Sequence, residues 1–410
     1  MSVSSFANDG PTNPSEIDYF KSRLVAVESF YINNIASSET TTSERYELTK
    51  VSLPFPNYFE GLGKPVAYVE NLNQYQSMVV SGAGEFFIIS RDVSPEATSV
   101  RTKRIPTNLN EIESVNIIRR DAGSSIKDIL LFDNYLYLTS TSGSQNCIGL
   151  KVLRAPVGKY IYRLIFEPLT FRYQCIDKNI HSNVNPHEGG GRLHQWNDNI
   201  LLTVGDYGVP QLAKQQEQIF GKLLLLDPLK LTYKLIVMGL RNPQGLEVFQ
   251  DTAFVSQHGQ KGGDEINSIN LTSGDTANWG WPIVSYGLPY ESQAEPSKPN
   301  YSDHRDMGFR EPLYAFQDSA GISQLIVSNC DQLSSSLLVG TLGYDSNQYR
   351  QKILEFNNKT PRTGPTRVIY YNERIRDIQD FTENPCAFSF IGEGKAHHMG
   401  LPAFYILTLK

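Results

Sequence analysis

The sequence predicts an all-β chain closed into a six-bladed β-propeller of four-stranded antiparallel blades. Three observations carry this: apolar residues alternate as in strands and rarely show the i, i+3, i+4, i+7 spacing of a helix, one hairpin pattern recurs at constant length, and about six copies of it fit 410 residues. The clearest copies are Ile129–Thr139, Leu193–Thr203 and Leu246–Ser256, each an apolar strand, a polar turn and a second short strand ending in a small residue. Their turns, at Asp133, Asp198 and Asp251, stand about 50 to 65 residues apart, the length of a four-stranded blade with loop insertions. Weaker copies lie near Gly82–Ser90, Ile326–Gly340 and Ile378–Ile391. Each blade can hide its apolar faces only against its neighbours, so closure of the ring removes exposed edges and leaves a central channel where a binding site is expected.

The boundaries follow from the same pattern. Residues 51–410 read as one propeller domain, and residues 1–50 as an N-terminal extension, partly disordered or carrying a short helix around Ser15–Glu28. The first fifteen residues are polar and lack the basic start and apolar run of a secretory signal, and no apolar run approaches the length of a membrane span. Lys and Arg total 37 against 43 Asp and Glu, for a net charge of -6, which argues against nucleic acid as a partner. Cys147, Cys175, Cys330 and Cys386 form no CxxC pair, so a zinc site is not expected, and their even number permits disulfides without fixing connectivity.

The residues with chemical content are centred on the stretch from His187 to Asn278. In order they are Gly190-Gly191-Arg192-Leu193, Gly205-Asp206, Gly221-Lys222, Arg241-Asn242-Pro243-Gln244-Gly245-Leu246, the run from His258 through Gly259, Gln260, Asp264 and Glu265 to Asn267, and Gly280-Trp281-Pro282. The triple glycine at Gly189–Gly191 runs into a strand, whereas a dinucleotide fingerprint opens a helix, so no nicotinamide is implied. Arg374 and Arg376 stand two apart, and alternation lets both reach one anion.

In order, spacing and identity this set resembles the soluble, pyrroloquinoline-quinone (PQQ)-dependent glucose/sorbosone dehydrogenases, with a looser match from about Gly123 to Asp377. The resemblance implies oxidation of an aldose to its lactone with PQQ and calcium, electrons passing to an external acceptor, and suggests a periplasmic or extracellular setting. PQQ is a tricarboxylate, which guanidinium forks suit. The implied cofactor contacts are Arg241, Asn242, His258, Ser319, Gly321, Arg374 and Arg376, with Gln211 on the sugar. Calcium would take the carbonyl oxygens of Gly259 and Gln260, and a second calcium Glu265 and the carbonyl of Trp279.

His187 is the expected base, assisted by Arg241, although it stands one residue further from Arg192 than the family pattern and leaves Glu188 as the other occupant of that place. Two polar family positions depart: its lysine falls at Gly343 and its glutamine near Gly123. Those losses favour the competing reading, an inactive propeller of the same family acting as a carbohydrate- or protein-binding module.

Overall fold

The computed structural model describes residues 34–35, 38–53, 66–94, 97–122, 125–169, 174–289, 303–333, 336–343, 349–357, 361–371, 373–381, 383–395 and 398–410. Its strands form six antiparallel sheets, each four strands wide at its centre, arranged as blades around a channel. The innermost strands are Ala67–Asn73, Ile126–Phe132, Gly190–Trp196, Asn242–Phe249, Ile322–Ser328 and Ile375–Phe381, for blades 1 to 6. Consecutive inner strands pack side by side, and the sixth returns to the first, which closes the ring.

The three strongest hairpins of the sequence are the inner two strands of blades 2, 3 and 4. Their turns require left-handed backbone, supplied at Asp133 and Asn134 (φ 48° and 58°), Asn197 (φ 52°) and Gln250 (φ 54°). The stretches near Ile326 and Ile378 are the corresponding hairpins of blades 5 and 6. Gly82–Ser90 is displaced: it falls on the next turn outward of blade 1, whose inner hairpin is Ala67–Asn73 with Gln76–Ser81.

Closure corrects the expected boundary at residue 50. Strand Tyr46–Ser52 pairs antiparallel with the last strand, His398–Leu409, and Ser38–Thr42 pairs with Tyr46–Ser52 in turn. Blade 6 therefore draws three strands from one end of the chain and its outer strands from the other, so unzipping the ring requires breaking a sheet. The helix expected at Ser15–Glu28 lies outside the described residues. Apolar clusters fill the gaps between blades; one joins Val69, Val79 and Phe87 of blade 1 to Phe381, Ile391 and Phe404 of blade 6. Disulfides link Cys147 to Cys175 and Cys330 to Cys386, the second joining blade 5 to blade 6.

Candidate active site

Repetition of the blade places the starts of all inner strands at one mouth of the channel, and the charged residues sit at or just before those starts. Arg241 precedes the inner strand of blade 4, Arg374 and Arg376 flank the first residue of blade 6, and Lys127 is second in blade 2. The turn Pro186–Glu188 precedes blade 3.

Arg241 is buried, and its Nη2 donates to Glu188 Oε1 at 3.2 Å while its guanidinium lies 5.6 Å from the ring centre of Trp281. Trp281 Nε1 donates to Asp206 Oδ2 at 2.7 Å. Burial, with the nearby Glu188 charge adding to it, pushes the Asp206 carboxyl up to about 7 against the opposing pull of Arg241. Arg241, Asp206 and Glu188 thus form one charge cluster around an indole.

Arg374 and Arg376 do reach a common anion, and it is a protein carboxylate. Glu393 accepts from Arg376 Nε at 2.6 Å and Nη2 at 3.2 Å, and from Arg374 Nε at 3.3 Å. Arg374 Nη1 also donates to the carbonyl of Leu342. Among the described residues, the Glu393 carboxylate is thus shared by two guanidiniums. Lys127 stands near Arg376 and donates from Nζ to the carbonyl of Pro186 at 2.9 Å; burial, reinforced by Arg376, brings its ammonium down to about 7.

His258 joins these two groups, since both Arg241 and Arg376 act on it electrostatically. Burial lowers its pKa, more than Asp264 raises it, so the ring is neutral at pH 7. With the carbonyl of Ile322 2.6 Å from Nε2, that nitrogen carries the hydrogen, and Nδ1 faces the Asn242 amide at 3.4 Å. Asp264 accepts from the backbone of Gly259 at 3.0 Å and of Gly321 at 2.6 Å, and Ser319 Oγ accepts from Gly262 N at 2.7 Å. These bonds bind the glycine loop of blade 4 to the entry of blade 5.

A cavity of about 10 Å³, room for one water-sized species, is lined by Arg241, Gln257, Gly259, Glu265, Trp279 and Trp281, among others. Beside it Glu265 accepts from Gln257 and Asn267, at 3.0 and 3.1 Å, and lies 3.4 Å from His304. Gln260 Oε1 and Asn267 Oδ1 are buried without a hydrogen-bond partner among the described residues. Among the described residues no three His, Cys, Asp or Glu side chains gather as a metal-binding group.

Gln211 and His187 are the remaining sequence-derived candidates. Gln211 sits in a one-turn helix, Pro210–Ala213, held by Lys222 through the carbonyls of Leu212 and Ala213, and no described hydrogen bond links it to the arginines. His187 is exposed, with its backbone N–H on Asn185 Oδ1 at the cap of the turn. Glu188, the other occupant weighed for that place, is the one in contact with Arg241.

Sequence reasoning assigned no role to Arg192, Glu393, Asp128 or Lys127. Arg192 is fully engaged: Nη1 bonds Asp377 at 2.6 Å and Asp128 at 3.2 Å, Nε the carbonyl of Gln244 at 2.7 Å, and Nη2 the carbonyl of Arg376 at 3.0 Å. The available signal was an ionisable residue in a strand position whose alternation faces the channel.

The sequence profile of the family described as Glucose / Sorbosone dehydrogenase matches residues 77–388, well over half of the chain. The chain belongs to the glucose/sorbosone dehydrogenase family. Aldose sugar dehydrogenase YliI of Escherichia coli (strain K12) is 29% identical over 212 residues, 47% of this chain and 54% of that protein. An uncharacterised Synechocystis protein is 25% identical over 278 residues, 60% of this chain and 62% of the other. The matched regions thus span about half to under two thirds of the curated relatives. Among solved structures, the apo-form of the soluble aldose sugar dehydrogenase of E. coli superposes with a TM-score of 0.63 at 15% identity, covering 85% of this chain and 97% of that one. The PQQ-bound aldose sugar dehydrogenase of Streptomyces coelicolor gives 0.55 at 16%, covering 92% and 98%. These superpositions concern the fold, and place this family member among propellers.

Proposed function

We propose that this glucose/sorbosone dehydrogenase family member is an oxidoreductase that oxidises an aldose to its lactone, using PQQ and calcium and passing electrons to an external acceptor. The observation that carries the reading is the gathering of guanidiniums at one mouth of the channel, where Arg241 and Arg376 both act on His258 and Arg374 and Arg376 share Glu393. Such a donor set fits a planar tricarboxylate. The family profile supports the same chemistry, and a structural neighbour is PQQ-bound.

When bound, PQQ supplies an acceptor for the hydride of the sugar C–H bond. Arg241, Asn242, Arg374 and Arg376 would hold its carboxylates, with Ser319 and Gly321 along one edge and the neutral His258 fixing the loop that carries them. Carbonyls of Gly259 and Gln260 would take the catalytic calcium. Glu265, with the orphaned Oδ1 of Asn267 on its neighbouring amide, and the carbonyl of Trp279 would take a second calcium. Gln211 would contact sugar hydroxyls from the rim.

The hydroxyl proton goes to the 186–188 turn. The sequence favoured His187; the position of the Glu188 carboxylate against Arg241 and close to Asp206 supports Glu188 as the acceptor, with His187 one residue further out. Arg241 then steadies the charge developing on the oxygen. Two disulfides suit an oxidising compartment such as the periplasm.

The test is to load purified protein with PQQ and calcium, add aldoses with a redox dye, and compare variants. Glu188→Gln should lower kcat by about 10²–10⁴ while His187→Ala stays near wild type; the reverse result makes His187 the base. Wild type that binds sugar by calorimetry yet takes up no PQQ would establish the binding-module reading instead.

A further inference from the structure

The position where the family lysine falls, Gly343, offers more than a missing cation. A Cβ built on Gly343 would land on Cγ and Cδ of Arg350, so the arginine stem occupies the space a side chain at 343 would need. Arg350 Nε donates to the carbonyl of Ser319 at 3.1 Å, and the acids whose charge it feels are Asp318 and Asp264. Asp264 is the carboxylate that binds Gly259 N and Gly321 N, and the Leu342 carbonyl one residue before Gly343 accepts from Arg374. The guanidinium of Arg350 therefore stands where the loops of blades 4, 5 and 6 meet at the candidate cofactor mouth.

The backbone is arranged to admit it. Gly343 N donates to the carbonyl of Ala320 at 3.0 Å, and Gly321, at φ +63°, approaches so closely that a Cβ there would meet Gly343 N at 3.0 Å. Glycine at 343 leaves the room that the arginine stem fills. We propose that Arg350 supplies, from seven residues further along the chain, the cation that Gly343 lacks, and holds a carboxylate of the anionic quinone beside Ser319 and Gly321. The proposal rests on the PQQ reading above. What the place asks of Arg350 is its positive charge, held there by the Nε bond to the Ser319 carbonyl.

The experiment measures binding without turnover: apo-protein in calcium buffer is titrated with PQQ, and quenching of tryptophan fluorescence is followed. Arg350→Ala should raise Kd about 10- to 100-fold, and Arg350→Lys, which keeps the charge, should stay within a few-fold of wild type. Wild-type binding with Arg350→Ala equally tight overturns this proposal alone. An equal loss in Arg350→Lys also overturns it, since packing rather than charge would then be responsible. Wild type that binds no PQQ overturns the cofactor reading together with this proposal. Should Arg350→Ala fail to fold by circular dichroism, Arg350→Gln, which keeps a donor for Ser319 and removes the charge, is read in the same way.

Discussion

Arg192 should be the most sensitive polar position in the channel, and its loss should depend on pH in a defined direction. Its guanidinium joins four blades: it comes from blade 3, bonds Asp128 of blade 2, the Gln244 carbonyl of blade 4, and Asp377 and the Arg376 carbonyl of blade 6. It also stacks on Tyr68 of blade 1 at 4.9 Å. One cation cannot offset the desolvation of two buried carboxylates, so burial still raises the Asp128 carboxyl, to about 7, and raises Asp377, although Arg192 pulls both down. Breaking one buried pair costs about 3–5 kcal/mol. Arg192→Met, which keeps most of the stem volume, leaves two charges unpaired and should cost about 4–5 kcal/mol at pH 8.

A carboxyl whose folded pKa lies above its unfolded value binds its proton more tightly when folded, so stability falls as pH rises from the unfolded value through the folded one. Removing Arg192 raises both folded values further and steepens that fall. The loss should therefore be smaller at pH 5 than at pH 8, shrinking toward about 2 kcal/mol, that of hydrogen bonds to Gln244 and Arg376. Urea unfolding of both proteins at pH 5 and pH 8 reads the difference. A loss below about 1 kcal/mol, or the same loss at both pH values, would refute the account.

Three further outcomes are expected. Glu70, buried with Asp128, Asp377 and Asp380 nearby, is pushed up to about 8, chiefly by burial, so between its unfolded 4.5 and pH 7 it costs roughly 2.5 × 1.36, or about 3 kcal/mol; Glu70→Gln, which keeps the acceptor for Leu131 N, should gain up to about that much at pH 7 and almost nothing at pH 4, as thermal melts at the two pH values would show. A Cβ on Gly205 would fall on the carbonyl of Glu188, so Gly205→Ala should shift the 186–188 turn and lower kcat/KM about a hundredfold in the reconstituted dye assay; near-wild-type turnover would contradict it. The joint change Cys330→Ala and Cys386→Ala opens a loop of 56 residues across blades 5 and 6 and should lower stability by about 2–4 kcal/mol in urea, with unchanged stability counting against it.

The local parts of this protein were legible in its sequence. Hairpins at Asp133, Asp198 and Asp251 appear because strand alternation and turn chemistry act over about ten residues. What lay beyond the sequence was every pairing between distant segments. Strand Tyr46–Ser52 closing on His398–Leu409, Glu393 receiving both arginines, Glu188 meeting Arg241, and Arg350 filling the space beside Gly343 are contacts that ring closure creates. Alternation dictates which face a side chain takes, but only the packed ring decides which charge it meets there, because desolvation and ion pairing depend on what surrounds a group in space.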